Sequence, residues 1–560
     1  MNRRSGGSPI RVLLVHANPY QRVEPVPAYG LERLRTASLD LGADIRILDP
    51  YLISDRPIDT AIEVARQFQP QVVGLGIRIV DDCITIDTSD ETEQQFDVSW
   101  FMPEIQRLRR AVGAALPEAS FILGGAGFSA MPKECLEYVD VDHGVVGAGE
   151  KPFREFLVRV AARAPLTNIP GVVHRNDADP LSGYNLTIEG GITARETLYA
   201  PTNSFPVRTR IGCGMQCSYC VTANLQRKRS RDEVGAVVDE LEAVLDKSRD
   251  RGISKVPIFF ADDEFNLTDE RHPIAILKGV LNRGLEKRMR WTAYFNPTPF
   301  SDELAELVRA TNGKPDFAVD TASPEMIVRT QKPFRRPHLD ALMKRLQKHQ
   351  LEAGVGLIFG LPGETDETID ETVEFARHLP PGVGAVYSSG ARVYPHTPLA
   401  TKAMADPKNV YGASGEGYFP PVVYSRPFPP RELARRLEVA FADAPHVRRL
   451  GVAYRRARPT VANAYRAVLS GADKQEWDQV LSAAEEPGDP ARAPSESLAA
   501  VVQVALWHGR WDLAAIAVRR LRKRPDLPSG ISRMRLRFGA SMYGAMGRIE
   551  RLRRGNRSRG

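Results

Sequence analysis

Residues 210–220 read R-I-G-C-G-M-Q-C-S-Y-C, and this stretch is the most informative part of the sequence. This stretch holds three of the five cysteines of the chain, Cys213, Cys217 and Cys220, at positions i, i+4 and i+7. A tight loop with this spacing can direct three sulfur atoms at one centre, and three thiolates on a [4Fe–4S] cubane leave one iron without a cysteine ligand. A structural zinc ion would need a fourth Cys or His, and no His lies near this loop. The stretch therefore predicts a cubane whose open iron chelates a ligand or substrate.

The composition is that of a globular protein with several domains. The chain has 560 residues, of which 42% are hydrophobic and 26% charged, and this length favours three domains. No window approaches the roughly 20 apolar residues that span a bilayer, and the polar start of the chain does not resemble a secretory signal. We therefore expect a cytoplasmic protein without a membrane partner, in which clustered cysteines indicate metal or redox chemistry and not disulfides.

The net charge of +7 raises the question of a nucleic-acid partner. Much of the basic excess lies near the end of the chain, in Arg519–Arg524 and again from Arg533 to Arg559. A basic tail is more typical of a solvated helix face or a disordered end than of a nucleic-acid site. We therefore do not expect a nucleic-acid partner.

The segment before the cysteines alternates apolar runs with helical patterns. Predicted strands are Ile10–His16, Asp44–Leu48, Val72–Ile77, Phe121–Gly125 and a fifth ending at Val145–Gly149, and predicted helices are Tyr29–Leu41, Ile62–Phe68 and Pro103–Leu116. Strands separated by helices indicate a parallel, doubly wound sheet, whose ligand lies at the carboxyl ends of the strands. The sequence thus predicts an α/β protein with a Rossmann-like first domain at residues 9–165.

A second alternating segment begins after a linker rich in Pro, Asn, Asp and Gly at about residues 165–205. Its predicted strands are Pro206–Ile211, Pro257–Phe260, Arg290–Tyr294, Phe317–Val319, Gly354–Phe359 and Val383–Tyr387, and its predicted helices are Glu233–Leu245, Asp302–Ala310, Leu339–His349 and Asp370–His378. This order predicts a partial (βα) barrel at residues 200–405 with its site at the carboxyl ends of the strands. Helices dominate residues 425–560, where Ser497–Trp507 and Asp512–Leu521 form a predicted hairpin around Gly509.

The C-x3-C-x2-C spacing on a loop after a first barrel strand resembles the signature of the radical S-adenosylmethionine (SAM) superfamily. Later segments are similar to motifs of that family in the same order, namely Phe259–Asn266 (F-F-A-D-D-E-F-N), Asp320 with Ser323, Gly354–Thr365 (G-V-G-L-I-F-G-L-P-G-E-T) and Arg392–Thr397 (R-V-Y-P-H-T). The resemblance implies that SAM binds the open iron through its amino and carboxylate groups. It also implies an external electron donor, such as flavodoxin or ferredoxin, and a cluster electron that can cleave SAM.

The same resemblance implies contacts with SAM from Tyr219, Asp262, Asp263, Asp320 and Ser323. The run Asp262–Glu264 places three carboxylates together, and these repel one another unless a cation binds there. The sulfonium and ammonium groups of SAM are such a cation. Alternatively, Glu264 reaches the fourth iron itself, which would change the chemistry.

A doubly wound domain ahead of such a barrel resembles the cobalamin-binding class of these enzymes. The matching residues follow two predicted strands: Gly124, Gly125 and Gly127, then Gly147, Gly149 and Glu150. Glycines at strand ends let a flat macrocycle lie against bare backbone. The chain lacks Asp-x-His-x-x-Gly, the motif through which many cobalamin proteins supply a histidine to cobalt. Arg78 is expected near the lower face of the corrin, unless it forms an ion pair with Asp81 or Asp82.

These features predict a cobalamin-dependent radical SAM C-methyltransferase similar to the tryptophan 2-C-methyltransferase group. The resemblance implies that a methyl group passes from SAM through methylcobalamin to a carbon of a small molecule or peptide, such as C2 of L-tryptophan, in secondary metabolism including antibiotic biosynthesis. Candidate catalytic residues are Arg78, Glu264, Tyr294 and Arg392. One alternative is a cobalamin-dependent radical SAM cyclase or rearrangement enzyme. Another is an RNA-modifying methylthiotransferase, which would need three more cysteines upstream.

Overall fold

The computed structural model describes residues 9–19, 26–82, 98–177, 199–200, 204–222, 229–412, 418–450, 460–486 and 494–526. Cys83, most of the predicted linker and the basic segment from Arg533 onward lie outside the described residues.

The first domain is a six-stranded sheet covered by helices. Its strands are β1 (Arg11–His16), β2 (Asp44–Leu48), β3 (Val72–Gly76), β4 (Ser120–Gly124), β5 (His143–Val145) and β6 (Val172–His174), in the order β2-β1-β3-β4-β5-β6. Strands β1 to β5 pair in parallel, and β6 pairs antiparallel with β5. The strand order reverses between β1 and β3, so a ligand crevice is expected outside their carboxyl ends. The predicted doubly wound fold is confirmed.

Two sequence predictions for this domain need correction. The fifth strand ends at Val145 and does not continue to Gly149, because the backbone N–H of Gly147 donates to Ser129 Oγ at 3.0 Å. The sheet also extends beyond the predicted boundary at residue 165, since β6 adds an antiparallel edge strand. The helices of the domain are Tyr29–Ala37, Pro50–Ile53, Pro57–Phe68, Met102–Ala115, Ala126–Ala130, Pro132–Val139 and Glu150–Ala162, with a 3-10 turn at Leu39–Leu41.

The second domain is built on a seven-stranded parallel sheet. The remaining strands in chain order are β7 (Phe205–Val207), β8 (Arg210–Ile211), β9 (Ser230–Arg231), β10 (Val256–Phe260), β11 (Met289–Phe295), β12 (Gly313–Asp320), β13 (Ala353–Phe359), β14 (Val383–Ser389), β15 (Ala391–Arg392), β16 (Val410–Gly412), β17 (Val422–Tyr424) and β18 (Val447–Arg449). The main sheet has the order β18-β14-β13-β12-β11-β10-β7. Because β18 belongs to it, the barrel extends past the predicted boundary at residue 405.

The two faces of this sheet differ because side chains alternate along each strand. In β11, Trp291, Ala293 and Phe295 are buried against the helix layer, whereas Thr292 and Tyr294 point to the opposite, inner face. The same alternation runs through β12, β13 and β14. Helices therefore cover one face of the sheet, and the inner face is left for a ligand.

The helices around the barrel mostly follow the sequence prediction. They are Val234–Asp250, Arg271–Asn282, Asp302–Ala310, Pro324–Arg329, Arg336–Lys348, Asp366–Arg377, Pro398–Ala405 and Pro430–Ala440, with 3-10 turns at Leu285–Lys287 and Pro407–Asn409. The sequence reading missed helix Arg271–Asn282, which packs on Val234–Asp250. A small antiparallel sheet in the order β15-β17-β16 follows the barrel.

The C-terminal helices are Thr460–Ser470, Lys474–Glu485, Pro494–Trp507 and Trp511–Leu521, and the last two confirm the predicted hairpin. They contact both preceding domains. Arg466 donates to the carbonyl of Tyr51 at 3.2 Å in the first domain, and Lys247 of the barrel lies over the ring of Trp507 at 4.8 Å. None of the described helices combines the length and apolarity that a membrane crossing requires.

Candidate active site

The cysteine loop follows β8 at the carboxyl end of the barrel sheet. Cys213 and Cys217 are each only 3% exposed and share one apolar cluster with Leu267, against which Cys220 also packs. Burial raises the pKa of the Cys217 thiol to about 11 and moves the pKa of Cys213 higher still. Buried thiols of this kind stay protonated and inert unless a metal displaces the proton. Three neighbouring sulfur atoms in an apolar pocket fit a bound iron–sulfur cluster.

The described residues contain no group of three or more His, Cys, Asp or Glu side chains that converges on a single ion. The cysteines of a cubane bind different irons and do not need to meet at one point.

Hydrogen bonds to Asp262 hold the segment that leads into the cysteine loop. Its carboxylate accepts the backbone N–H of Thr209 at 2.8 Å, the hydroxyl of Thr209 at 2.5 Å and the backbone N–H of Arg210 at 3.0 Å. Burial raises the pKa of Asp262 to about 6, although these hydrogen bonds oppose the shift. The structure thus gives Asp262 a structural part in holding the loop, and its predicted contact with SAM stays a prediction.

Glu264, the last residue of the acidic run, is buried and has a carboxylate oxygen without a hydrogen bond among the described residues. Its side chain is 5% exposed, and Oε2 has no hydrogen-bond partner among the described residues. Burial raises its pKa to about 8, and the positive charge of Lys332 opposes that shift. An unpartnered buried carboxyl oxygen costs free energy. A group bound in the cysteine pocket would relieve that cost, so Glu264 is suited to contact the cluster or SAM.

Tyr219, Asp320 and Lys332 form a second polar group beside the cysteines. The Tyr219 hydroxyl donates to Asp320, and Lys332 Nζ lies 2.5 Å from the same carboxylate. The backbone N–H of Ser218 bonds to Thr330, which ties the loop to this group. Asp320 is thus paired with a lysine, whereas the nearby hydroxyl of Ser323 is buried without a partner among the described residues. Of these predicted SAM contacts, Ser323 has the free hydrogen-bonding capacity.

A cavity of about 190 Å³ lies between the first domain and the barrel. The first domain contributes Arg78 from the loop after β3 and Gly127 from helix Ala126–Ala130, and the barrel contributes Thr222, Asp263 and Tyr394. Burial raises the pKa of Asp263 to about 6, and the negative charge of the neighbouring Asp262 adds to this shift. The predicted cobalt-face residue and the predicted SAM-binding acid therefore line one space.

Two of the glycines after β4 pack tightly on the backbone that follows β3, and their predicted cofactor contact stays a prediction. A Cβ added at Gly125 would lie 2.4 Å from the carbonyl oxygen of Ile77, and one at Gly127 would lie 2.9 Å from the backbone of Ile79. These two glycines therefore let the start of helix Ala126–Ala130 pack on the loop that carries Arg78. A Cβ at Gly124 would meet only Val145 O at 4.0 Å, so this position alone of the three leaves ordinary space.

The second predicted cofactor group, Gly147, Gly149 and Glu150, lies where helix Glu150–Ala162 begins. Glu150 is buried and forms ion pairs with Arg33 at 2.8 Å and with Arg208 of the barrel at 3.2 Å. These two arginines lower its pKa against the effect of burial. The structure thus makes Glu150 a link between the domains, and its cofactor contact stays a prediction.

Arg392 also links the two domains, through residues that line the cavity. Its Nε donates to Asp81 Oδ2 at 2.9 Å, and its terminal nitrogens donate to the carbonyls of Tyr418 and Phe419 at 2.9 Å. Asp81 also accepts the Tyr394 hydroxyl at 3.2 Å. We refer to the Arg392–Asp81 pair as the interdomain brace. The catalytic role predicted for Arg392 stays a prediction, since the described contacts are structural.

The inner face of the barrel holds Tyr294, another predicted catalytic residue. Tyr294 is 50% exposed, and its ring meets that of Phe259 edge to face at 5.6 Å. In the next strand, Asp316 pairs in register with Tyr294 and was missed by the sequence reading. The available signal was the stretch Lys314–Asp320, in which Asp316 interrupts apolar residues within a strand.

The comparisons with known proteins agree with both domains. The radical SAM superfamily matches residues 208–376, and the B12 binding domain matches residues 23–157. Tryptophan 2-C-methyltransferase of Streptomyces laurentii is 26% identical over 466 residues, which are 70% of this chain and 74% of the relative.

Two solved structures of the radical SAM methyltransferase TsrM from Kitasatospora setae share the fold. The structure with cobalamin and a [4Fe–4S] cluster has a TM-score of 0.69 and 20% identity, and the match covers 92% of this chain and 100% of TsrM. The structure with tryptophan and a SAM analogue has a TM-score of 0.67 and 22% identity over 78% of this chain and 90% of TsrM. The chain therefore joins a B12-binding domain to a radical SAM domain.

Proposed function

We propose that this protein transfers a methyl group from SAM, with the help of bound cobalamin, to a carbon atom of a small aromatic substrate such as L-tryptophan. The observation that supports this most directly is the shared cavity, where Arg78 and Gly127 of the B12-binding domain face Asp263 and Tyr394 of the barrel. Methyl transfer through cobalamin needs SAM and the corrin within reach of one another. The names of the relatives, which include tryptophan as substrate, support the choice of acceptor.

Three cysteines would hold the cluster: Cys213, Cys217 and Cys220. Cobalamin bound in this cavity would supply a carrier for the methyl group between SAM and the acceptor carbon. Arg78 would lie at the cobalamin side of the cavity, where a fixed positive charge disfavours further positive charge on the metal. Glu264 and Asp263 would face the cationic groups of SAM, or Glu264 would bind the open iron. Lys332, held by Asp320, balances the negative charge of that acidic run.

The test is an anaerobic assay of the protein reconstituted with iron, sulfide and hydroxocobalamin. It is incubated with SAM, L-tryptophan and a reductant or a flavodoxin-type donor, and the products are separated by mass. Methylated tryptophan with S-adenosylhomocysteine and little 5′-deoxyadenosine is the expected result for polar transfer. Stoichiometric 5′-deoxyadenosine without S-adenosylhomocysteine would instead favour the cyclase or rearrangement alternative.

Cysteine variants separate the cluster from general folding effects. Cys217→Ala should lose iron, sulfide and turnover together. Cys135→Ala is the matched control, because Cys135 is equally buried but belongs to the first domain. If Cys217→Ala keeps its iron–sulfide absorption and activity, the proposed cluster loop is wrong.

A further inference from the structure

Asp316 is an acidic side chain in the middle of β12, on the inner face of the barrel sheet. In register, Asp316 lies between Tyr294 on β11 and Gly354 on β13, and Gly354 lies beside Gly384 on β14. The row therefore begins with an aromatic ring, continues with a carboxylate and ends in two positions without side chains. A ligand lying on this row meets the carboxylate directly.

The position of the Asp316 carboxyl group is closely defined by Gly354. A Cβ added at Gly354 would lie only 2.0 Å from Asp316 Oδ1, so the carboxyl group lies directly over the glycine. No hydrogen bond or ion pair with another described residue is present for Asp316, and the charged group that affects it is Lys314, two residues earlier on the same face. Partial burial without a partner leaves this carboxylate able to bind a cation.

The neighbouring aromatic residues suggest what accompanies that cation. Phe259 and Tyr294 meet edge to face at 5.6 Å on the same inner face, and Tyr294 keeps half of its surface exposed. Aromatic side chains bind planar rings through stacked or edge-to-face contacts. The inner face therefore combines an aromatic wall with one carboxylate in the adjacent strand.

We propose that Asp316 is a specificity-determining residue that binds the protonated amino group of the substrate, while Phe259 and Tyr294 contact its aromatic ring. This inference rests on the proposed function, in which the inner face receives the methyl acceptor. It narrows the substrate to aromatic amines and amino acids. Aromatic acids without an amine would lack the ion pair with Asp316.

The test measures equilibrium binding of L-tryptophan, tryptamine and indole-3-propionate to the anaerobically reconstituted full-length protein. Asp316→Asn should weaken binding of the two amines by roughly 10- to 100-fold, because a hydrogen bond to a charged group is lost. Binding of indole-3-propionate should be unchanged or tighter. Asp370→Asn is the matched control, since it removes the same charge from an exposed site on the outer helix Asp366–Arg377.

A second variant, at Gly354, keeps the Asp316 carboxylate but changes its position. Gly354→Ala should displace the Asp316 carboxyl group and reproduce the selective loss for the two amines. Equal losses for all three compounds, unchanged binding in Asp316→Asn, or no binding of either amine to the wild type would overturn the inference. The proposed function fails separately, if the wild type binds the amines selectively but forms no methylated product.

Discussion

Replacing Arg392 by Met should loosen the interface between the B12-binding domain and the barrel. The Arg392 Nε to Asp81 Oδ2 distance is 2.9 Å, and the two side chains are 3% and 0% exposed. At an effective dielectric constant of 20, this separation corresponds to an attraction of about 6 kcal/mol, before the cost of removing both charges from water. Loss of one partner of a buried pair typically costs about 3–5 kcal/mol, because the other charge stays buried and unpaired.

The pairing makes a sharper prediction for the double variant. Asp81→Asn removes the charge that Arg392→Met leaves behind, so the double variant should recover about 2–3 kcal/mol relative to Arg392→Met alone. A change of 3 kcal/mol alters an equilibrium by roughly 10²-fold. Arg435→Met, which makes the same substitution at an exposed position of helix Pro430–Ala440, is the control and should have no such effect.

Amide hydrogen exchange measures the local stability of the domain interface. It suits a protein of several domains, for which a single unfolding step is not expected. Peptides covering residues 98–101 and 418–424 report on the interface, because Trp100 and Tyr138 contact the ring of Phe419 at 5.9 and 5.7 Å. Arg392→Met should accelerate amide exchange in both peptides. Adding Asp81→Asn to that variant should slow the exchange again, part of the way to the wild-type rate. The interdomain brace would be refuted if the effects of the two substitutions on exchange simply add. It would also be refuted if Arg392→Met leaves exchange unchanged but abolishes methyl transfer, a result that favours the catalytic role predicted for Arg392 from the sequence.

Three further predictions concern single residues. Burial raises the pKa of Glu364 to about 8 from 4.5, so its stabilising effect is present below about pH 4.5 and is lost as the pH rises through 8. The free energy of unfolding should therefore fall by roughly 2–5 kcal/mol more in the wild type than in Glu364→Gln across that window, and parallel urea titrations would contradict this. Gly127→Ala places a Cβ 2.9 Å from the backbone of Ile79 and should weaken hydroxocobalamin binding about tenfold or more in equilibrium dialysis, whereas Gly30→Ala, with nothing within 4 Å, should not. Glu150→Gln should cost about 2 kcal/mol in apparent stability, because Arg33 and Arg208 lose the carboxylate they share and keep Glu240 at 3.7 Å and Asp232 at 3.4 Å, and an unchanged midpoint of denaturation would show that the Glu150 pairs contribute nothing net.

Local patterns were sufficient to predict most of the fold. Helix Asp302–Ala310 has the predicted bounds, because Ser301 caps it through a bond to the Leu304 amide and its apolar residues keep helical spacing. Helix Arg271–Asn282 escaped notice because it contains Pro273 and Gly279 and several β-branched residues. Proline is tolerated in the first helical turn, where its missing N–H is not needed. Packing on the neighbouring helix Val234–Asp250 supplies the stability that the local helix propensity of this segment lacks.

Much of the candidate site depends on pairings that no local pattern reveals. Arg392 and Asp81 are 311 positions apart, and their side chains meet only because the two domains dock. The same holds for Glu150 and Arg208, which are 58 positions apart. Sequence reasoning could locate strand ends and their glycines, but it could not show that Gly125 and Gly127 also pack closely on the backbone of Ile77 and Ile79.

These long-range pairs bear on how the cavity keeps its shape. A site between two domains has dimensions set by docking, and a purely apolar interface would tolerate small slips with little loss of energy. Buried ion pairs do not tolerate such displacements, because a displaced charge keeps its desolvation cost and loses its partner. The brace lies on one side of the cavity, and Glu150 with its arginines links the domains at a second position. Charged contacts at two separate positions therefore fix the orientation of the B12-binding domain on the barrel, so variants that touch neither cofactor can still alter transfer between them.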